Sequence, residues 1–141
     1  MKKFKFTFQT LLNISISLEK EQKNNLAIVN NQLNALEKIK EGILQDIKNA
    51  RENYANVRTI NEFINGNNYL SFLKKNLIDM NVRISMKENE RNNLQDQLIE
   101  TMTQRKTYEK LRKKQWETYK KELAIEDDKA LGDFIANNGG E

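Results

Sequence analysis

Proline, cysteine and histidine are all absent from the 141 residues of this sequence. Without cysteine the chain has no disulfide framework and no thiolate metal site, which fits a reducing compartment. Without histidine it lacks the most common metal ligand and the side chain that most often exchanges protons near neutral pH. We therefore predict no catalytic residue, no metal site and no cofactor, and we do not expect an enzyme.

Long apolar runs are also missing from the sequence. No segment approaches the roughly 20 apolar residues that a membrane-spanning helix needs. The basic start, Met1-Lys2-Lys3-Phe4-Lys5, is similar to the opening of a signal peptide, but polar residues interrupt the apolar stretch that should follow. The interrupting residues are Gln9, Thr10, Asn13, Ser15 and Ser17. The sequence therefore predicts a cytoplasmic protein.

The absence of proline permits long helices, and a seven-residue apolar repeat indicates where the first one lies. Nine positions alternate in spacing between four and three residues, and eight of them are apolar in a chain that is only 38% apolar. Residues spaced in this way share one face of a helix and form the seam of a coiled coil. The positions are Val29, Leu33, Leu36, Lys40, Ile43, Ile47, Ala50, Tyr54 and Val57.

Turn-forming residues concentrate between the two halves of the chain. Gly66 tolerates a left-handed backbone, and the asparagines beside it form local side-chain turns. We therefore predict a single domain, residues 1–141, with an all-α fold: a long antiparallel two-helix coiled-coil hairpin. The first helix is expected at about 8–58, the turn at about 59–68, the second helix at about 69–135, and a disordered tail at 136–141.

The second helix continues the repeat less regularly, because charged residues occupy several of its seam positions. A turn centred near residue 65 pairs position i of the first helix with about 130 minus i of the second, which predicts an ion pair between Lys40 and Glu90. Leu18 and Val29 lie eleven residues apart, which indicates a stutter around residues 22–26. The predicted seam comprises Leu11, Leu12, Leu33, Leu36, Ile43, Ile47, Leu77, Leu94, Leu98, Tyr108, Leu111, Tyr119 and Leu123.

A basic stretch from Arg105 to Lys121 holds eight positive residues and only two acidic ones. On a helix, six of its lysines cluster opposite Tyr108: Lys106, Lys110, Lys113, Lys114, Lys120 and Lys121. Three interpretations are open: a solvated face of the coiled coil, a binding site for a protein with an acidic surface, and a site for a phosphate backbone. The overall charge of +4 and the lack of a recognition motif disfavour nucleic acid.

Four aromatic residues surround the predicted turn: Tyr54, Phe63, Tyr69 and Phe72. The end of a hairpin has too little protein around it to bury all four. We expect one or two of them to be exposed, and exposed aromatic side chains at that place suit a protein contact.

The two ends of the chain carry segments that are similar to those of a known protein family. The opening Phe4-Lys5-Phe6-Thr7-Phe8-Gln9-Thr10-Leu11-Leu12 places phenylalanines before a leucine pair, and the closing Arg105-Lys106-Thr107-Tyr108-Glu109-Lys110-Leu111 contains a Lys-x-x-Glu-x-Leu pattern. These segments resemble the two ends of the FliJ family of bacterial flagellar export proteins. The resemblance covers nearly the whole chain, although Gly132 stands where the family commonly has an acidic residue after a leucine.

The resemblance implies a cytoplasmic component of the flagellar type III export apparatus, located at the inner membrane through its partners. Such proteins form a coiled coil similar to the central stalk of rotary ATPases, which enters the ring of the export ATPase, FliI, and links it to the export gate, FlhA. Family members are also described as chaperones or chaperone-escort factors. By this resemblance the ends, residues 4–18 and 106–134, with the six lysines, face the ATPase, and residues 54–72 face the gate.

Two alternatives remain open on the sequence. One is a holding chaperone similar to prefoldin, although prefoldins need β-rich segments near the turn and residues 59–68 are too few for them. The other is a nucleic-acid-binding coiled coil, for which the lysines are the only support.

Overall fold

The computed structural model describes residues 2–139, which form two α-helices and no strand. Helix α1 spans Gln9–Tyr54 and helix α2 spans Ile60–Gly139. The two long helices pack against each other as a hairpin, which confirms the predicted all-α two-helix fold. None of the described helices is long and apolar enough to cross a membrane.

Helix α1 ends at Tyr54, about four residues before the predicted end. The amide of Ala55 still bonds to the carbonyl of Arg51 at 3.2 Å, but the next two amides bond only three residues back. Those bonds run from Asn56 to Asn53 and from Val57 to Tyr54, at 3.2 and 3.3 Å. Shorter bonds of this kind tighten the last turn and close an α-helix.

The predicted turn at residues 59–68 was wrong, because the chain reverses before Ile60. Thr59 caps α2: its Oγ1 accepts the amide of Glu62 at 3.2 Å, while a Glu62 carboxylate oxygen accepts the amide of Arg58 at 3.1 Å. A threonine followed three residues later by glutamate satisfies free amides at a helix start. This capping signal outweighs the asparagines and Gly66, which lie inside α2.

Gly66 is explained by packing instead of by backbone conformation, since no described glycine has a positive φ. A Cβ added at Gly66 would lie 3.0 Å from Cδ2 of Tyr54. Glycine therefore lets the Tyr54 ring lie directly against the backbone of α2. The far end of α2 also differs from prediction: residues 136–139 of the expected disordered tail are helical, and residues 140–141 lie outside the described part.

The described chain divides into two compact units. The turn unit is Gln22–Gln97, and the terminal unit is the described part of Met1–Glu21 with Leu98–Glu141. Whether residues 1–141 behave as one domain stays a prediction.

The turn unit has an apolar seam. Val29, Leu33, Met80 and Ile84 form a buried cluster, and Leu36, Ile43 and Leu94 pack against it. Two cross-helix contacts give the register: Lys87 Nζ donates to Gln32 Oε1 at 2.8 Å, and the Tyr54 ring lies on Gly66. The residue numbers of the two partners in each contact add to about 120 instead of the predicted 130, because the chain reverses earlier in the sequence than predicted.

This register corrects two further expectations. Glu90 accepts from Lys87 at 3.0 Å, one turn away on α2, so the predicted pairing with Lys40 was wrong. The predicted stutter is also absent from α1. Gln22 and Leu26 are half-buried and Val29 is buried, at spacings of four and three, so the seven-residue repeat continues unbroken.

Candidate functional site

The seam of the terminal unit is largely polar. On α1 its buried positions are Leu12, Ser15 and Glu19. On α2 Thr101 is buried, and Arg105 and Tyr108 are half-buried. Sequence reasoning missed Ser15 and Glu19, because it followed the apolar residues one position earlier. Leu11 was wrongly assigned to the seam, since it is exposed, and Leu111 is also classed as exposed.

Arg105 organises this polar seam. Its Nε donates to Glu19 Oε2, its Nη2 donates to Glu19 Oε1 at 3.5 Å, and its Nη1 donates to both carboxylate oxygens of Glu109 at 3.0 Å. Hydrogen bonds raise the pKa of Arg105 above its ordinary value; the bond to Glu19 is the largest cause, and the bond to Glu109 is the next largest. The guanidinium, charged as arginine always is in proteins, links the two helices through its bonds to Glu19. We call Glu19, Arg105 and Glu109 the clamp.

A non-helical segment, residues 2–8, precedes α1 and lies along α2. Phe6 is buried, and its carbonyl accepts the amide of Gln9 at 3.1 Å where the helix begins. The Gln9 side chain in turn accepts a bond from Arg112 Nε at 3.0 Å. These contacts determine the path of the segment, so its lysines have defined positions.

Aromatic rings hold the same segment against α2. The Phe4 ring lies 5.0 Å from Trp116 and 5.5 Å from Tyr119 between ring centroids. Trp116 stacks on Tyr119 at 5.6 Å, and the Tyr119 hydroxyl donates to the carbonyl of Lys2 at 3.0 Å. The guanidinium of Arg112 lies 5.7 Å from the Phe4 ring centroid. Phe8 lies apart from this cluster and contacts Tyr108, at 6.2 Å between ring centroids.

The six predicted lysines are all exposed in the terminal unit: Lys106, Lys110, Lys113, Lys114, Lys120 and Lys121. Lys120 lies 5.7 Å from the centroid of the Trp116 ring. An open groove beside Phe4 adds Lys2, Lys3 and Lys5 to Lys114, while Glu122 and Glu126 line it too. Sequence reasoning placed Lys5 in the end that faces the ATPase, whereas the basic start was the signal for Lys2 and Lys3. We call the six lysines with Lys2, Lys3 and Lys5 the basic surface.

Of the four aromatic residues predicted around the turn, Tyr54 and Phe63 lie beside it. Tyr69 and Phe72 lie further along α2, about 14 and 18 Å from Ile60, because the chain reverses earlier than predicted. Tyr54 is half-buried and its ring lies 5.2 Å from that of Phe63. Phe63, Tyr69 and Phe72 are all exposed, which is one more than expected. Tyr54 and Tyr69 line a second groove, together with Gly66. Further along α2 in the turn unit, Ile78, Val82 and Met86 are also exposed, which sequence reasoning did not anticipate.

The remaining predicted seam residues divide by unit. In the turn unit Leu33 and Ile47 are buried, and Leu36, Ile43, Leu77 and Leu94 are half-buried. In the terminal unit Leu12 is buried, and Leu98, Tyr108, Tyr119 and Leu123 are half-buried. Beyond Leu123, the described part of α2 has only exposed side chains.

Together these features define a class: a coiled-coil hairpin whose surfaces suit protein partners. The chain belongs to the FliJ family, because the family model described as "Flagellar FliJ protein" matches residues 4–138. The family is a non-catalytic component of flagellar protein export, and this chain is accordingly a component of the flagellar export apparatus. Among curated proteins and among solved structures, the comparisons found no match.

Proposed function

We propose that this protein is the stalk of a flagellar export ATPase. It binds the FliI-like ATPase hexamer through the terminal unit and stimulates ATP hydrolysis there, without being an enzyme itself. The observation that carries the proposal is the anchored segment, residues 2–8. Phe4 between Trp116 and Tyr119 holds Lys2, Lys3 and Lys5 beside Lys114. A surface of ordered positive charge favours a partner with an acidic surface.

The composition of the basic surface suits a stalk inside a ring. A single stalk and a hexamer differ in symmetry, so one face of the stalk must meet subunits in unlike positions. Exposed lysines have long flexible side chains, and their interactions are screened by salt over about 8–10 Å. Such contacts tolerate small displacements better than a deep apolar pocket would.

The turn unit is proposed to bind the export gate, which is FlhA-like. Phe63, Tyr69 and Phe72 are exposed on α2 within its first 13 residues, at about 5, 14 and 18 Å along its axis from Ile60. Exposed aromatic residues are the side chains that most often dominate the energy of a protein interface. Tyr54 contacts the Phe63 ring at 5.2 Å between centroids and so helps to hold that ring in place.

These two contacts would locate the protein in the cytoplasm, at the inner face of the membrane that holds the export gate. The exposed apolar residues of α2 also suit transient contacts with export chaperones, so a chaperone-escort role is included in the proposal. Prefoldin-like clasping is disfavoured, because the described residues contain no strand near the turn. Nucleic acid is not an expected partner.

The ATPase contact is tested by changing Lys106, Lys110, Lys113 and Lys114 to glutamate together. We expect stimulation of the purified ATPase to fall by about tenfold or more, because four attractive contacts become repulsive, while helicity by circular dichroism is unchanged. The matched control changes four exposed lysines of the turn unit to glutamate: Lys38, Lys48, Lys74 and Lys75. Full stimulation by the first variant, or equal loss in the control, contradicts the assignment.

The gate contact is tested separately with Phe63→Ser and Phe72→Ser in one chain. Binding to the cytoplasmic part of the gate protein should weaken by at least about tenfold, which corresponds to about 1.4 kcal/mol. The control is Ile39→Ser, which changes an exposed apolar residue of α1 in the same unit. Unchanged gate binding by the double variant would remove these aromatic residues from the proposal.

A further inference from the structure

The beginning of α1 carries two parallel stripes of side chains, and the less apolar stripe is the buried one. Leu11, Ile14 and Leu18 have the three-then-four spacing of a coiled-coil seam, yet 44%, 56% and 39% of their surfaces are exposed. Leu12, Ser15 and Glu19 occupy the seam, at 4%, 6% and 6%. Each residue of the apolar stripe directly precedes a residue of the buried stripe in the sequence. A rotation of α1 about its axis by about 100°, the angle between neighbouring residues of a helix, therefore exchanges the two stripes.

The buried arrangement costs free energy that the apolar stripe would not. A buried hydroxyl or carboxylate must be hydrogen-bonded, because leaving water is otherwise strongly unfavourable. The clamp supplies that compensation for Glu19: Arg105 bonds to it and is held in place by Glu109. The clamp therefore stabilises the polar stripe in the seam.

The helix has a way to accommodate the exchange without breaking. Leu18 and Val29 lie eleven residues apart, and an eleven-residue spacing is a stutter, which a helix absorbs by locally unwinding its supercoil. With this winding Leu11, Ile14 and Leu18 would occupy the seam, while Val29 keeps its place. The structure shows the other winding, in which the seven-residue repeat is unbroken.

We propose that residues 9–21 of α1 form a two-state element: the clamp holds the polar stripe in the seam, and opening the clamp lets the apolar stripe rotate into its place. Two packings of one sequence that differ little in free energy form a switch that a partner biases by binding one of them better. An acidic group that competes with the carboxylates of the clamp for Arg105 would open the clamp. The proposal needs no ATPase or gate, so it stands independently of the proposed function.

The absence of cysteine makes the test direct, because one introduced thiol is the only thiol in the chain. Ile14→Cys and Ser15→Cys are each prepared alone and with Arg105→Ala, and the rate of alkylation is measured. With the clamp intact, the thiol at 14 should react faster than the thiol at 15. With Arg105→Ala, the ratio of the two rates, 15 to 14, should rise by about tenfold or more, as expected when a minor state becomes dominant.

Rotation of the helix is distinguished from fraying by opposite changes at the two positions: the alkylation rate should rise at position 15 and fall at position 14. Both reporter substitutions favour the clamped state, so they cannot create this result. Lys106→Ala, an exposed neighbour outside the clamp, is the matched control and should leave both rates unchanged.

Faster reaction at both positions would indicate fraying of the helix and would overturn the proposal, as would unchanged rates. Helicity is followed by circular dichroism. If Arg105→Ala loses its helical signal, Glu109→Gln carries the test, because it weakens the clamp and keeps the guanidinium. It should shift the same ratio in the same direction by a smaller factor, and an unchanged ratio would overturn the proposal equally.

Discussion

The two units use the same seven-residue spacing with different chemistry. In the turn unit the seam is apolar, centred on Val29, Leu33 and Ile84. In the terminal unit the corresponding positions include Ser15, Glu19 and Thr101, and stability comes from the clamp and from the aromatic rings around Phe4. An apolar seam maximises stability, whereas a polar one gives up stability for a defined register. The units differ accordingly in which substitutions should damage them.

The largest difference is expected for Leu33→Asp, which places a charge in the buried cluster of the turn unit. We expect a loss of at least about 3 kcal/mol in the free energy of unfolding, from the lost apolar contacts and the buried carboxylate. Thermal melts followed by circular dichroism measure it. Leu12→Asp should cost less, because its seam neighbours are already polar. Ile39→Asp, on the exposed face of α1, should change stability by less than about 0.5 kcal/mol. Equal effects at positions 33 and 39 would refute the seam.

Phe4→Ala tests the aromatic contacts of the terminal unit. The two ring contacts of Phe4 are together worth about 1–3 kcal/mol, so residues 2–8 should detach from α2. Trp116 is the only tryptophan, and its fluorescence emission should shift to longer wavelength as water reaches it. Phe72→Ala, an exposed phenylalanine of the turn unit, should leave the emission unchanged. An unshifted spectrum in Phe4→Ala would mean that the Phe4 ring does not cover Trp116.

Thr59→Ala tests the cap that determines where α2 begins. Losing the bond from the Glu62 amide to the threonine hydroxyl should cost about 1 kcal/mol, measured by chemical denaturation. Thr59→Ser, which keeps a hydroxyl, is the control and should lie near the parent. No loss in Thr59→Ala would mean that the early turn depends on the aromatic contacts nearby and not on the cap.

The smallest expected effect is a difference in stability between alanine substitutions at two glycines of the turn unit. Gly42 has open space where a Cβ would lie, so Gly42→Ala should stabilise α1 by about 1 kcal/mol. Gly66→Ala should gain less, because its Cβ would lie 3.0 Å from the Tyr54 ring and the ring must shift. Equal gains in denaturation experiments would show that the ring moves without cost. In a Tyr54→Leu background the two gains should become similar.

Much of this architecture was predictable from local chemistry. The spacing from Val29 to Val57 and the absence of proline determine two long helices, because helix geometry repeats every 3.6 residues wherever nothing breaks it. The turn was misplaced because asparagines and a glycine were weighed above Thr59 and Glu62, whose capping pattern was present in the sequence. The sequence pattern identifies the lysines of the basic surface on α2, but it does not identify Lys2 and Lys3, which precede the first helix.

By itself the sequence determined the class of fold, the number of helices and the family, since each depends on periodicity and on segments that are continuous in the chain. Only the tertiary structure decided which stripe of α1 is buried. By local pattern Leu11, Ile14 and Leu18 form the more apolar stripe. The repeat carried back from Val29 reaches Glu19 and Ser15 instead, and these are the buried residues. Arg105, far away in the chain, compensates the buried carboxylate. The sequence therefore allows two windings of α1, and the contact that accompanies the buried one joins distant residues and has no local signature.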